Sequence, residues 1–225
     1  MDQKVDPQAP NFSVRPLPNL ETKIVVANTL MPSEKQHQHQ FDLFDEQIKR
    51  LREGLELVRH EHFNARSPEK KTRCRERDAE LRQQIAGVLQ KSGLPAPTAS
   101  ALAAWDPYDQ NRAASFFDPA WMFSIKDGFD VVLGNPPYVR QEQIKALKPW
   151  LKEHYDCYTG TADLYVYFYE RGVQFLRPGG VFSFITSNKW FRAAYGGLLR
   201  GWHARHARLH QIIDFGDAPV FTSIA

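Results

Sequence analysis

Residues 129–138 read FDVVLGNPPY. Phe129, Val131, Val132 and Leu133 form a short apolar run rich in β-branched residues, the composition of a buried strand. Gly134 is placed to let the chain turn sharply. Pro136 and Pro137 fix φ at two successive residues and remove two N–H donors. The residue before each proline is pushed to extended geometry. The stretch therefore predicts a strand that runs into a stiff loop. Outward from it, residues 181–186 (VFSFIT) and 211–215 (QIIDF) read as two further strands. Between the first two lie an amphipathic helix over 141–154 and a second over 163–176, apolar nearly all round and so expected to be buried. Arg177-Pro178-Gly179-Gly180 is its stop signal. A third helix is expected over 191–210. Strands alternating with helices predict an α/β body with a mostly parallel, three-layer sheet.

Upstream the texture differs. Residues 1–40 are expected to be an N-terminal segment with one short strand, KIVVA at 23–27, ending in Asn28. The polar MPSEKQHQHQ that follows reads as a loop in which His37 and His39 are solvated. Over 41–92 the pattern predicts a helical hairpin. Ile48, Leu51, Leu55 and Val58 make one stripe, and Leu81, Ile85, Val88 and Leu89 the other. Ser67 caps and Pro68 opens the second helix. The mixed charges of 70–82 read as a solvated face. GLPAPTASALAA at 93–104 reads as a linker, so the α/β body is expected over 93–225.

Composition narrows the classes. The 225 residues are 24% charged, as a globular chain should be, with a net charge of +3. That excess permits a nucleic-acid partner without demonstrating one. Two cysteines without a CxxC neighbour make neither a disulfide framework nor a zinc site. Without an apolar leader or a membrane-length apolar run, the expected location is cytoplasmic, with no membrane partner. No metal site is expected. His203, His206 and His210 share a helix face with Arg200, Arg205 and Arg208, whose charges disfavour a cation.

The loop after Gly134 is where chemistry is expected, because ligands of open α/β sheets sit beyond the carboxyl ends of strands. A doubly proline-stiffened bend presents carbonyl oxygens without competing donors. Asn135 adds a neutral side-chain oxygen, and Tyr138 adds a flat ring. Two acceptors converging on one amino group, with a ring to hold its plane, fit methylation of an exocyclic amino nitrogen. Such a nitrogen is a poor nucleophile until acceptors localise its lone pair, and the main effects would be orientation and electrostatic preorganisation.

The sequence resembles the amino-methyltransferases that act on adenine in DNA, whose motif is (N/D)PP(Y/F), and in particular the adenine methyltransferases of combined restriction–modification enzymes. Three stretches bear the resemblance: DGFDVVLGNPPYVRQEQ, YTGTADLYVYFYERGVQFLRPGGVFSFITSNKWFRAAYG and IIDFGDAPVF. PNLETKIVVANTL is similar to the segment before the family's third cofactor-side motif. The resemblance implies a partial Rossmann-like sheet, S-adenosylmethionine as cofactor and double-stranded DNA with a flipped adenine as substrate. It implies catalytic roles for Asn135, Pro136, Pro137 and Tyr138. Asn135 and the Pro136 carbonyl would bind the target amine, and Tyr138 would stack on the base. Asn28 and Asn135 would contact the cofactor. Asn188 and Lys189 would line the site, with Lys189 and Arg140 as phosphate contacts. Asp163 stands where the family's pocket-flanking helix starts, and its position favours a helix cap.

The family's aromatic-x-Gly-x-Gly turn, its ribose-binding acid and its last hairpin strand are not found in the 225 residues. The chain is therefore expected to be a middle slice, inactive alone and partnered by the rest of its enzyme or a restriction subunit. Methyltransferases of protein glutamine or RNA guanine share the tetrad. A non-catalytic remnant is the third reading.

Overall fold

The computed structural model describes residue 8, residues 18–32, residues 46–216 and residue 218. The histidine-containing loop at 33–40, the first turn of the helix expected from 41 and the last residues of the APVF stretch lie outside the described residues. The chain divides into two compact units, Met1–Lys126 and Asp127–Ala225.

The first unit is built on a helical hairpin, α1 (Glu46–Asn64) and α2 (Pro68–Lys91). The Ser67 hydroxyl accepts the N–H of Lys70, and Pro68 opens α2, so the expected cap is present. Ile48 and Leu55 face Leu81, Ile85 and Leu89, all buried. The charged run of α2, whose mixed signs led to the expectation of a solvated face, is not wholly solvated: Asp78 and Arg82 are buried. Asp78 is fully buried and accepts from Arg59 Nε at 2.8 Å and Arg82 Nε at 2.7 Å. Arg59 also donates to the Trp121 carbonyl, and Arg82 to the carbonyls of Ala103 and Trp105. Each guanidinium thus caps backbone oxygens that the helices leave over.

Residues 93–104 are likewise no linker. Ala96–Ala104 form α3, with Ala99, Leu102 and Ala103 buried against α2. Alanine is the best helix former, and a proline is tolerated in the first turn. The division between units falls after Lys126, beyond a short helix α4 (Pro119–Phe123), and not near residue 93. The strand expected at 23–27 is reduced to a single bridge, Ala27 with Ala114. A 3-10 turn at Glu21–Lys23 precedes it, and Ile24 and Val26 are exposed. With no neighbouring ladder among the described residues, β-branched residues alone do not make a buried strand.

The second unit contains a two-stranded parallel sheet, β1 (Phe129–Gly134) and β2 (Leu176–Phe184). The crossover between them holds a 3-10 turn at Lys145–Leu147, α5 (Lys148–His154) and α6 (Tyr165–Gln174). The amphipathic helix expected over 141–154 is shortened to α5 because Pro149 belongs in a first turn. β2 starts earlier than expected and runs through Pro178 and Gly180, so the stop signal of α6 is also strand. After β2 come a 3-10 turn at Asn188–Phe191 and α7 (Gly196–His206), shorter than the helix expected. Residues 211–215 form no strand. They lie exposed without a ladder among the described residues.

This is a partial α/β fold with a parallel sheet. One face of the sheet is covered: Phe182 and Phe184 pack on Tyr169 of α6, and Phe182 approaches His203 of α7. On the opposite face Val131, Leu133 and Val181 are 51%, 72% and 58% exposed. Of the three layers expected, the described residues supply two.

Candidate functional site

The parallel register brings the carboxyl ends of β1 and β2 together, with Gly134 opposite Phe184. The Gly134 carbonyl accepts the N–H of Ile185 at 3.1 Å, the last rung of the ladder. Gly134, expected to let the chain turn sharply, is not among the glycines with positive φ. Its role is room: a Cβ there would lie 2.8 Å from the Phe184 ring.

The loop beyond exposes Asn135, Pro137 and Tyr138 and buries Pro136. It is held on three sides. The Tyr138 hydroxyl donates to the Ile185 carbonyl at 3.4 Å. The Val139 carbonyl accepts the N–H of Leu164 at 2.9 Å. The Asp163 carboxylate accepts the N–H of Gln141 at 3.0 Å. Asp163 is therefore not the side-chain cap of α6, which starts without one. It ties the NPPY loop to the loop before α6. The Tyr138 ring meets Tyr165 edge-on, and partial burial raises the Tyr138 phenol pKa. Asn135 makes no side-chain hydrogen bond with the described residues, so its amide is available.

The turn after β2 supplies the other wall. Ser187 Oγ accepts the N–H of Lys189. Asn188 Nδ2 donates to Asp214 Oδ1 at 3.1 Å, and the Gly216 N–H reaches the same oxygen. These two bonds hold the Asp214 carboxyl below the usual carboxylate range, the backbone N–H contributing most. Asp163, Asn188, Lys189, Phe191, Arg192 and Tyr195 line a cavity of 560 Å³, together with Asp214. Its acids offer acceptors, its bases offer anion contacts, and Phe191 offers a ring.

Of the expected residues, Asn135 to Tyr138, Arg140, Asn188 and Lys189 all follow the carboxyl ends of the two strands. Arg140 is exposed on the loop. Asn28 belongs to the first unit, where its side-chain oxygen accepts the N–H of Leu30 and its N–H bonds the Ala114 carbonyl. Arg192, Tyr195 and Tyr165 were missed by sequence reasoning, since side chains 30 residues apart, such as Tyr165 and Tyr195, meet only through packing. The helix histidines diverge in environment: His203 packs on Tyr169, while His206 stacks on Trp202. Among the described residues no three His, Cys, Asp or Glu side chains are arranged to hold a metal ion, and no helix is long and apolar enough to cross a membrane.

The chain is similar to several known proteins. The type II methyltransferase M.PaeR7I of Pseudomonas aeruginosa is 36% identical over 142 residues, covering 62% of this chain and 23% of that protein. M.XhoI of Xanthomonas vasicola is 42% identical over 103 residues, covering 45% of this chain and 19% of that protein. The type II restriction enzyme and methyltransferase RM.Eco57I of Escherichia coli is 32% identical over 97 residues, covering 41% and 10%. The matched stretch thus spans less than a quarter of each of these three relatives. The model of one family, described as Eco57I restriction-modification methylase, matches residues 34–221. The chain belongs to the Eco57I restriction-modification methylase family.

Proposed function

We propose that this chain supplies the target-base side of a DNA adenine methyltransferase in a restriction–modification system, with S-adenosylmethionine as methyl donor. The observation that supports it best is the placement of the exposed, doubly proline-stiffened Asn135–Tyr138 loop at the carboxyl end of a parallel strand. Asn135 and the Pro136 carbonyl accept the two hydrogens of the adenine amino group, drawing its lone pair out of conjugation. Tyr138 stacks on the extruded base, worth roughly 1–3 kcal/mol. Asn188 lines the pocket, and Lys189 and Arg140 meet backbone phosphates. Double-stranded DNA is the substrate. The remainder of the enzyme or a restriction subunit is the proposed partner, and the cytoplasm the proposed location.

The described residues do not by themselves fit the methyl donor. The Asn28 amide oxygen is taken up in its own turn, and neither β1 nor β2 is followed by a glycine-rich turn. The family alone implies the donor.

The test is a methyl-transfer assay with the full product of the reading frame that encodes these residues, offered duplex DNA, RNA and protein. Label on adenine N6 of DNA is expected. Asn135→Ala should lower kcat by about 10²–10³, the loss typical of one preorganised polar group. Label on protein glutamine or RNA guanine, or full activity of Asn135→Ala, overturns the proposal.

A further inference from the structure

We propose that Tyr195, acting through Tyr165, is a positioning residue for the ring of Tyr138. The proposal rests on the reading of Tyr138 as the residue that stacks on the base.

A stacking ring is useful only if its plane is held before the base arrives. The Tyr138 ring is half exposed, and its own hydroxyl makes only a long bond of 3.4 Å. Its aromatic neighbour is Tyr165, with centroids 6.4 Å apart and planes at 83°. Edge-to-face contact is directional, because the positive edge of one ring meets the negative face of the other. The orientation of Tyr165 therefore sets that of Tyr138.

Tyr165 is 1% exposed on the first turn of α6. Its hydroxyl is paired with that of Tyr195 at 2.8 Å. A buried hydroxyl without a partner is costly, so this bond selects one rotamer of Tyr165. Tyr195 stands between two environments. Its hydroxyl reaches inward to Tyr165, while its side chain lines the cavity beside Lys189 and Arg192. It immediately precedes α7, and packing of α7 against α6 carries it into place. The three tyrosines form a line from cavity wall to stacking ring.

The test uses the full chain with 13C-labelled tyrosine rings. Tyr195→Phe and Tyr165→Phe each delete one hydroxyl of the pair and keep the ring. In both variants the Tyr138 ring resonances are expected to move, while those of Tyr158, which stacks on Tyr167, stay. A second readout is affinity for single-stranded oligo-dA. Each variant should weaken it about three- to tenfold, the worth of a neutral hydrogen bond, and the loss should vanish in a Tyr138→Leu background. Unmoved Tyr138 resonances overturn the proposal. So does an undiminished loss in the Tyr138→Leu background, which would mean that Tyr195 acts on nucleic acid by itself. If the wild-type chain ignores oligo-dA while the Tyr138 resonances move, the stacking reading fails and the positioning role stands.

Discussion

The Asp163 carboxylate accepts the backbone N–H of Gln141 at 3.0 Å, and the next residue, Leu164, donates its own N–H to Val139. A loop whose prolines remove two donors has few ways to be held, and this pair of bonds supplies two of them. Asp163→Ala should free the Gln141 amide and loosen the loop by about 1.5–3 kcal/mol, the range for a hydrogen bond to a charged group. Hydrogen exchange would show Gln141 and Leu164 losing protection in Asp163→Ala and keeping most of it in Asp163→Asn. Equal protection in all three proteins would remove Asp163 from this role.

Two glycines make room for the phenylalanines of β2. A Cβ on Gly134 would lie 2.8 Å from the Phe184 ring, and one on Gly172 would collide with the Phe182 ring. Gly172→Ala should destabilise the second unit by about 1–3 kcal/mol through overpacking. Gly134→Ala should displace Phe184 at the root of the site, lowering activity more than stability. Urea melts alongside methyl-transfer rates separate the two effects.

Asp78 pairs with two buried guanidiniums, Arg59 and Arg82, at 2.8 and 2.7 Å. Asp78→Ala leaves Arg59 without its carboxylate and Arg82 with only the more distant Asp106 at 3.9 Å, and the loss should be about 3–5 kcal/mol, as for other broken buried pairs. Exposed pairs such as Arg77 with Glu80 should contribute far less. Chemical denaturation of Asp78→Ala and Glu80→Ala would rank them, and equal midpoints would show the buried cluster to be dispensable.

Acid should weaken both units through their buried histidines. Burial, with a smaller push from His206, lowers the His203 pKa to about 4. His62, fully buried against Tyr108, is also lowered, chiefly by burial. An unfolded histidine takes its proton near pH 6.5, so the unfolded chain binds protons first as pH falls. Stability is complete above about pH 6.5 and declines towards pH 4. Melting temperatures across that window should fall, and His203→Gln should flatten the slope for the second unit. An unchanged slope would mean that His203 is not held neutral by burial.

The helical hairpin, its Ser67 cap and the strand before the NPPY loop were legible because each is written in local periodicity or turn chemistry. The errors share a cause. KIVVA and QIIDF have the composition of strands, yet a strand exists only where a neighbour accepts its ladder, and residues 211–215 have none among those described. GLPAPTASALAA looked like a linker because proline and alanine are common in both linkers and helix starts. Asp163 looked like a cap because an acid before a helix usually is one, while its actual partner, Gln141, lies 22 residues away in sequence.

Local order alone determined the stiff bend of Asn135 to Tyr138: proline fixes its own φ and pushes its predecessor to extended geometry whatever surrounds it. Packing decided which groups stand around that bend. The Asp163 tether, the Tyr138–Tyr165–Tyr195 line and the burial of Asp78 join residues distant in the chain, and no periodicity encodes such meetings. They arise only when helices close over one face of the sheet, or over one another, and each buried polar group must find its partner.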